Sequence, residues 1–444
     1  MTCPNLLFVF ADQWRARAFG YAGDPSVRTP NIDRFAAQSV NCVNAVSGCP
    51  VCSPYRASLM TGQYPHTHGM IVNDQAIRSD AVPFAAALAN AGYDTGYIGK
   101  WHIGGRGRSA RIPPEERLGF QYWRGYECTH DYNDSFYDDT AGTRHRWEGY
   151  DAFAQTDAGC EYLRDHGGER PFALFLSWGP PHNPYGTAPQ EYRDLYPPDA
   201  VRLPPNVPED RADEARQKLA GYYAHCTALD EAFGRLLAAL DEAGRTEDTL
   251  VVFTSDHGDM LNSQGSRGAK QQPWDESIRV PLLLRIPGQA PGTVSFPMDA
   301  PELMPTLLRL CGVRIPETVT GADCARVLTD AAPPPHEGAF LANYFCFHEW
   351  VAAKGGREWR GIRTDRHTYA IDHDGPWLLY DNQADPLQLT NLVNQSETAE
   401  LRRGLDAALR RRMADVGDAF EPGIALLERF DIGLNDKGDI PIKR

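Results

Sequence analysis

Four stretches of the chain share one pattern, a run of consecutive apolar residues ending near a side chain that can carry or transfer charge. NLLFVF runs into Asp12, YDTGYIG into Lys100 and His102, PFALFLSW is followed by His182, and TLVVFTS runs into Asp256 and His257. Unbroken apolar runs fit strands covered on both faces, as in a parallel sheet between helices. Helical patterns lie between them. YYAHCTALDEAFGRLLAALDEAG carries Leu229, Phe233, Leu236, Leu237 and Leu240 on one stripe and stops at Gly244. VPFAAALANAG has Pro83 near its start and Gly92 at its end. This alternation predicts an α/β fold.

The texture changes from about residue 340. EWRGIRTDRHTYAID and PWLLYD read as short strands of an antiparallel sheet, and SETAELRRGLDAALRRRMADV as an amphipathic helix. DAAPPPHEG reads as a linker between the two regions. The expected division is a catalytic α/β domain over residues 1–335 and a C-terminal α+β subdomain over 336–444.

Charge and cysteine content narrow the function classes. A net charge of −15 argues against nucleic-acid or membrane-surface partners, both of which need a basic face. Ten cysteines in 444 residues are too few for a disulfide scaffold. The opening MTCPNLLFVFADQWR lacks a basic flank, and its apolar run is short for a leader or a membrane span, so a cytoplasmic protein with reduced thiols is the expectation.

In open α/β sheets, ligands bind beyond the carboxyl ends of the strands. An aspartate after a strand is often only a turn or cap, and a lone histidine in PPHNP only a loop residue. Four strands ending this way together point to a site. Asp12 and Asp256, flanked by Gln13 and His257, suit one divalent metal. Oxygen ligands favour Ca²⁺ or Mg²⁺, and an imidazole tilts the set toward Mn²⁺. Lys100, His102, His182 and Lys270 would surround an anion with positive charge and proton donors.

SGCPVCSPYRASLMTG, residues 47–62, permits two readings. Cys49 and Cys52 have the spacing of a redox dithiol or half a zinc site, although no second ligand pair is clearly offered. Read from Cys52, the stretch is C-x-P-x-R opening a helix. Ser53 is then the expected N-cap, Pro54 the first helical residue and Gly62 the stop, giving a helix over 54–61. Its N-terminus suits an anion and places Cys52 beside a positive helix end, with Arg56 one turn in.

With these residues in view, the chain resembles the type I sulfatases of the alkaline phosphatase superfamily over nearly its whole length. The resemblance rests on PNLLFVFADQ, CSPYRASLMTG, GYIGKWHIG, PPHNPY, TSDHGDML and LLYDNQADPLQLTNL, in that order. It implies an alkaline phosphatase-like fold, with a large mixed, mostly parallel sheet sandwiched by helices. It also implies that a maturation enzyme converts Cys52 to formylglycine. One hydroxyl of the hydrated aldehyde would bind the metal and attack sulfur. Loss of the other's proton would then expel sulfate. Arg56 would orient the formylglycine, Lys100 and His102 would hold it, and His182 and Lys270 would bind sulfate oxygens and assist the leaving oxygen. Asp12, Gln13, Cys52, Asp256 and His257 would hold the metal, Ca²⁺ first among candidates, and the substrate would be a sulfate ester of an aryl alcohol, small metabolite or oligosaccharide.

Three positions depart from the family's usual pattern. Gln13 and His257 stand where many members carry an acid and an asparagine, and Tyr55 where serine is commoner. The first two bring the site nearer the phosphonate monoester hydrolases, so phosphonate monoester or phosphodiester hydrolysis is the alternative activity. Asn73, in GMIVNDQ, matches a substrate-contacting asparagine of that branch and of choline sulfatases, with a turn role equally open. Substrate subsites are sought in ECTHDYNDSFYDD, in Arg106, Arg108 and Arg111, and in NYFCFHEW.

Overall fold

The computed structural model describes residues 3–442. Its main sheet has ten strands, and the four apolar runs are its centre. Thr249–Ser255, Asn5–Asp12, Phe172–Pro181 and Asp94–Lys100 lie side by side in that order, all mutually parallel. Shorter strands extend both edges, several of them antiparallel, so the sheet is mixed but parallel at its core.

The central strands are buried on both faces, and each face has its own core. Leu7, Val9 and Ala11 point into a cluster shared with the helices Asp151–Asp165 and Ala212–Glu242. Leu6, Phe8 and Phe10 point to the opposite face, against Cys52–Thr61 and Ala300–Leu310. The two-residue period of a strand sends successive side chains to opposite faces, and both sets are apolar because both faces are covered. Gly99 is required where two central strands approach closely. Its φ is +104°, and a Cβ there would sit 2.0 Å from the Ser177 carbonyl oxygen.

A second sheet, of four antiparallel strands, spans Ala339–Asn343, Trp359–Arg363, His367–Asp372 and Gly375–Asp381, followed by the helix Ala399–Val416. It is keyed to the main body by buried polar contacts. The Ala342 amide donates to the Gly48 carbonyl at 2.6 Å, and the Trp359 indole to the Gln271 carbonyl at 2.9 Å. Arg363 forms an ion pair with Asp275. Among the described residues no helix is long and apolar enough to cross a membrane.

Several buried acids, Asp151 and Asp299 among them, make the fold sensitive to pH. Asp151 is fully buried and accepts a hydrogen bond from Ser135 at 2.9 Å, and its other carboxyl oxygen has no partner among the described residues. Burial outweighs the hydrogen bonds to it and pushes its pKa up to about 8. A carboxyl raised in the folded state binds its proton more tightly there. Its contribution is complete below the unfolded value near 4 and is lost as pH rises toward 8. Asp151→Asn should therefore flatten the stability profile between pH 5 and 8, removing a slope of roughly 1.4 kcal/mol per pH unit. Chemical denaturation of both proteins across that range checks it.

Candidate active site

The carboxyl ends of the four central strands converge on the start of the helix Cys52–Thr61. Its beginning differs from expectation. The helix starts at Cys52, with Val51 as N-cap, rather than at Pro54. The Ser53 hydroxyl does not cap it but donates to the His102 carbonyl at 2.7 Å. The carboxamide of Asn73 supplies the missing acceptor, its Oδ1 taking the Ser53 amide at 3.0 Å. A remote side chain thus does the work of a local cap. Gly62 ends the helix in the left-handed conformation, as its position predicts.

The two cysteines of the C-x-x-C have different surroundings. Cys49 lies in the apolar cluster formed with the small sheet, and burial pushes its thiol up. Cys52 faces the strand ends. Its Sγ is 3.1 Å from His257 Nε2, 3.1 Å from Lys270 Nζ and 3.6 Å from Asp12 Oδ1. Burial and Asp12 raise its pKa, but Lys270, Lys100 and His257 outweigh them and bring it well below the usual thiol range.

Asp12, Cys52, Asp256 and His257 offer ligand atoms all within 4.8 Å of one another, every one of them buried. His257 Nδ1 donates to the Gly258 carbonyl at 2.8 Å, and Nε2 faces Asp12 and Asp256, 3.7 Å from each. Burial is outweighed by Asp256 and Cys52, which raise its pKa, and a cation that displaced the Nε2 proton would meet a lone pair there. Gln13 sits at φ +72°, held by its amide on Asp256 Oδ1 (3.0 Å) and by its Nε2 on Asp259 (2.7 Å). Its Oε1 is buried with no hydrogen-bond partner among the described residues. Two carboxylates, an imidazole lone pair and an orphaned carbonyl oxygen are a donor set that fits a divalent cation.

Cations brace this acidic cluster. Arg56 is fully buried and donates to Asp12, Asp256, the Lys100 carbonyl and Ser177, between 2.7 and 3.2 Å. Lys100 Nζ is 2.5 Å from Asp12 Oδ2. Burial raises Asp12, but the charges of Lys100, Arg56 and His257 hold it well below the usual carboxylate range. Asp256 moves the other way, to about 6, because burial and the charge of Asp12 outweigh His257 and Arg56.

A third group faces the open side. Lys270 Nζ reaches His182 Nε2 at 3.2 Å, and His182 Nδ1 is 2.8 Å from the Asn183 carbonyl. Burial, Lys270 and His130 keep His182 neutral, its pKa well below the usual imidazole value. His102, at φ +61°, meets Asp74 Oδ1 at 3.1 Å, and burial is overcome by Cys128 and Asp74 so that its pKa rises. A cleft of about 270 Å³ opens over Cys52, lined by Asn73, His102, His182 and Lys270 and roofed by Phe347, His348 and Glu349. The structure therefore brings the sequence-derived residues to one place.

Other contributors were hidden in the sequence. His130 stacks on His182 at 4.3 Å with 15° between the rings; its stretch, ECTHDYNDSFYDD, is one of those considered for a subsite, but nothing within it singles out this residue. Asp74 holds His102 and is itself gripped by Arg108 at 2.8 and 3.0 Å. Its place beside Asn73 was the available signal, as the second aspartate of SDHGD was for Asp259. Of the three arginines considered for an acidic substrate group, Arg106 pairs with Glu116 and Arg111 lies 3.7 Å from Asp138, so only Arg108 lines the cleft.

Comparison with known proteins shows the family and the fold. A family model described as sulfatase matches residues 4–313, and one described as N-sulphoglucosamine sulphohydrolase, C-terminal, matches 269–415. An ulvan-active sulfatase of Formosa agariphila is 42% identical over 436 residues, covering 97% of this chain and 85% of that protein. An endo-4-O-sulfatase of Bacteroides thetaiotaomicron is 32% identical and covers 92% of each chain. A solved structure described with the metabolism of multiple glycosaminoglycans by the same organism superposes with a TM-score of 0.86 at 31% identity, covering 94% of this chain and 97% of the other. The phosphonate monoester hydrolase of Agrobacterium radiobacter shares the fold, with a TM-score of 0.73 at 23% identity over 99% of both chains.

Proposed function

Since the chain belongs to the sulfatase family and is a sulfuric ester hydrolase, we propose that it cleaves carbohydrate sulfate esters using residue 52 as nucleophile, after a maturation enzyme has oxidised Cys52 to formylglycine. The observation that carries this is the convergence of Cys52 with His257, Lys270 and Asp12 at the ends of the central strands. The carbohydrate class is supported by relatives that act on ulvan and are described as endo-4-O-sulfatase.

Asp12, Gln13, Asp256 and His257 would hold one divalent cation, for which Ca²⁺ suits the oxygen-rich set. When bound, such a cation supplies positive charge that favours an ionised nucleophile. Arg56 positions the acids and, through the Lys100 carbonyl, the neighbouring strand end. Lys100 and His102 flank residue 52 and hold it oriented. Lys270 and His182 face the bound ester from the open side. Lys270 carries the proton of that pair, because His182 is neutral and turns its Nε2 lone pair toward the ammonium. Proton donation to a leaving oxygen is worth ~10²–10⁴ in rate. Asn73 fixes the helix start under residue 52 and borders the ester. We place this chemistry in residues 1–335, with 336–444 supplying the roof of the cleft.

Matched aryl sulfate and aryl phosphonate esters should separate this reading from the phosphonate alternative, with the sulfate turned over at the higher kcat/KM. A peptide mass spectrum over residues 47–56 from a host with the maturation enzyme should show an aldehyde at residue 52. A retained thiol there in active enzyme sinks the formylglycine step. Chelation should abolish turnover and lower the melting temperature, and Ca²⁺ should restore both. Saturation at about 100-fold over Kd stabilises by ~2.7 kcal/mol.

A further inference from the structure

A second cavity, of about 670 Å³, adjoins the cleft over Cys52, and Asn183 and Glu349 line both. The chain runs from one to the other directly. Gly268 and Ala269 line the larger cavity, and the next residue, Lys270, lies in the cleft. The volume is that of a small-molecule site, about the size of one or two sugar units.

Its lining is selective. Arg267 and Lys354 are exposed at its edge, and neither has an ion pair or side-chain hydrogen bond among the described residues. On a chain of net charge −15 with many paired arginines, two free cations beside one cavity match the two acids of its lining in number and leave a guanidinium and an ammonium available to an anion. The third cation, Lys218, is already paired with Glu214 at 2.7 Å. The two acids of the lining, Asp259 and Glu349, are hydrogen-bonded to neutral donors, which orient them without cancelling their charge. Asp259 accepts from Gln13 and from the Tyr185 hydroxyl (2.7 and 2.6 Å), and Glu349 accepts the Ala269 amide at 2.9 Å.

Asn262 supplies an independent observation. It is 1% exposed, lies in the cavity wall, and its Oδ1 has no hydrogen-bond partner among the described residues. A buried acceptor without a donor is costly, and a ligand hydroxyl satisfies it. Tyr185, half-buried in the same wall, offers an aromatic ring of the kind sugar faces pack against.

We propose that this cavity is a subsite for the sugar next to the one being desulfated, and that it selects a neighbour bearing an anionic group, a carboxylate or a second sulfate. The proposal rests on residue 52 marking the reacting ester. Arg267 and Lys354 meet the anion and Asn262 a hydroxyl of the same unit. Because none of the three touches the reacting atoms, the subsite acts on KM rather than kcat.

The test compares wild type with the double variant R267A/K354A, whose substitutions are exposed and leave the core untouched. The probes are 4-nitrophenyl sulfate, a sulfated disaccharide with a uronate as the second unit, its carboxyl-reduced counterpart, and a disaccharide with a second sulfate in place of the carboxylate. For wild type, KM should be about tenfold lower for a charged disaccharide than for the reduced one, and this advantage should shrink with salt. The double variant should lose the advantage with kcat and 4-nitrophenyl sulfate turnover unchanged. Whichever charged disaccharide loses it identifies the group recognised. An unaltered KM ratio in the variant overturns the subsite. Failure of wild type to hydrolyse any sulfate probe counts instead against the reading of the reacting centre.

Discussion

Cys52→Ala is expected to lower sulfate release by about 10⁴-fold or more, with little change in melting temperature, as measured by initial rates and thermal denaturation of matured protein. The size follows from its position. Cys52 is the group on which His257, Lys270 and Asp12 all converge. Removing a nucleophile leaves binding and charge stabilisation but deletes the bond-forming atom. The side chain is small and its loss opens little volume, so the helix from Cys52 to Thr61 should persist, capped as before through Asn73. Cys49→Ala is the control. Its thiol lies in the apolar cluster, so the effect there should be a modest loss of stability with turnover retained. Equal loss of activity in both variants would remove Cys52 from its assigned place.

Arg56→Met should be the most destabilising substitution in the site, costing about 3–5 kcal/mol. The guanidinium is 1% exposed and serves four acceptors, of which Asp12 and Asp256 are themselves completely buried. Without it, two carboxylates face each other with only Lys100 and His257 to offset them. In a chain of this length the melting temperature should fall by roughly 3–5 °C. A divalent cation added in excess should recover part of that fall, since it supplies charge to the same carboxylates. Recovery of turnover should be far smaller, because the Lys100 carbonyl and Ser177 lose their donor as well. Arg56→Lys should fall between, since one ammonium cannot span all four acceptors. A melting temperature unchanged in Arg56→Met would show that the acids do not need the arginine.

The parts of the site that were legible in the sequence share a physical basis. Strands covered on both faces must be apolar throughout, so the first ionisable residue after each run marks where the strand leaves the core. Asp12, Lys100 and Asp256 are visible for that reason. Gly62 is visible because only a residue free to take positive φ ends a helix that way. The start of the same helix was misplaced by two residues. Ser53 has the right side chain for a cap, but its hydroxyl goes to the His102 carbonyl, brought near only by the packing of another strand end.

The sequence by itself determined the α/β architecture, the four strand ends that carry ionisable side chains, and the Cys52–Arg56 pair one helical turn apart. Local periodicity, strand burial and helix stop signals are properties of short windows, and short windows are what a sequence displays. Only the tertiary structure decided which of two cysteines meets the acids, that Asn73 caps the helix from a distance, that His130 stacks on His182, and that Arg106 and Arg111 are turned away from the cleft. Each of those depends on residues far apart in the chain being brought within a few ångströms. The choice among competing partners there is made by packing and charge in three dimensions, which no local pattern encodes.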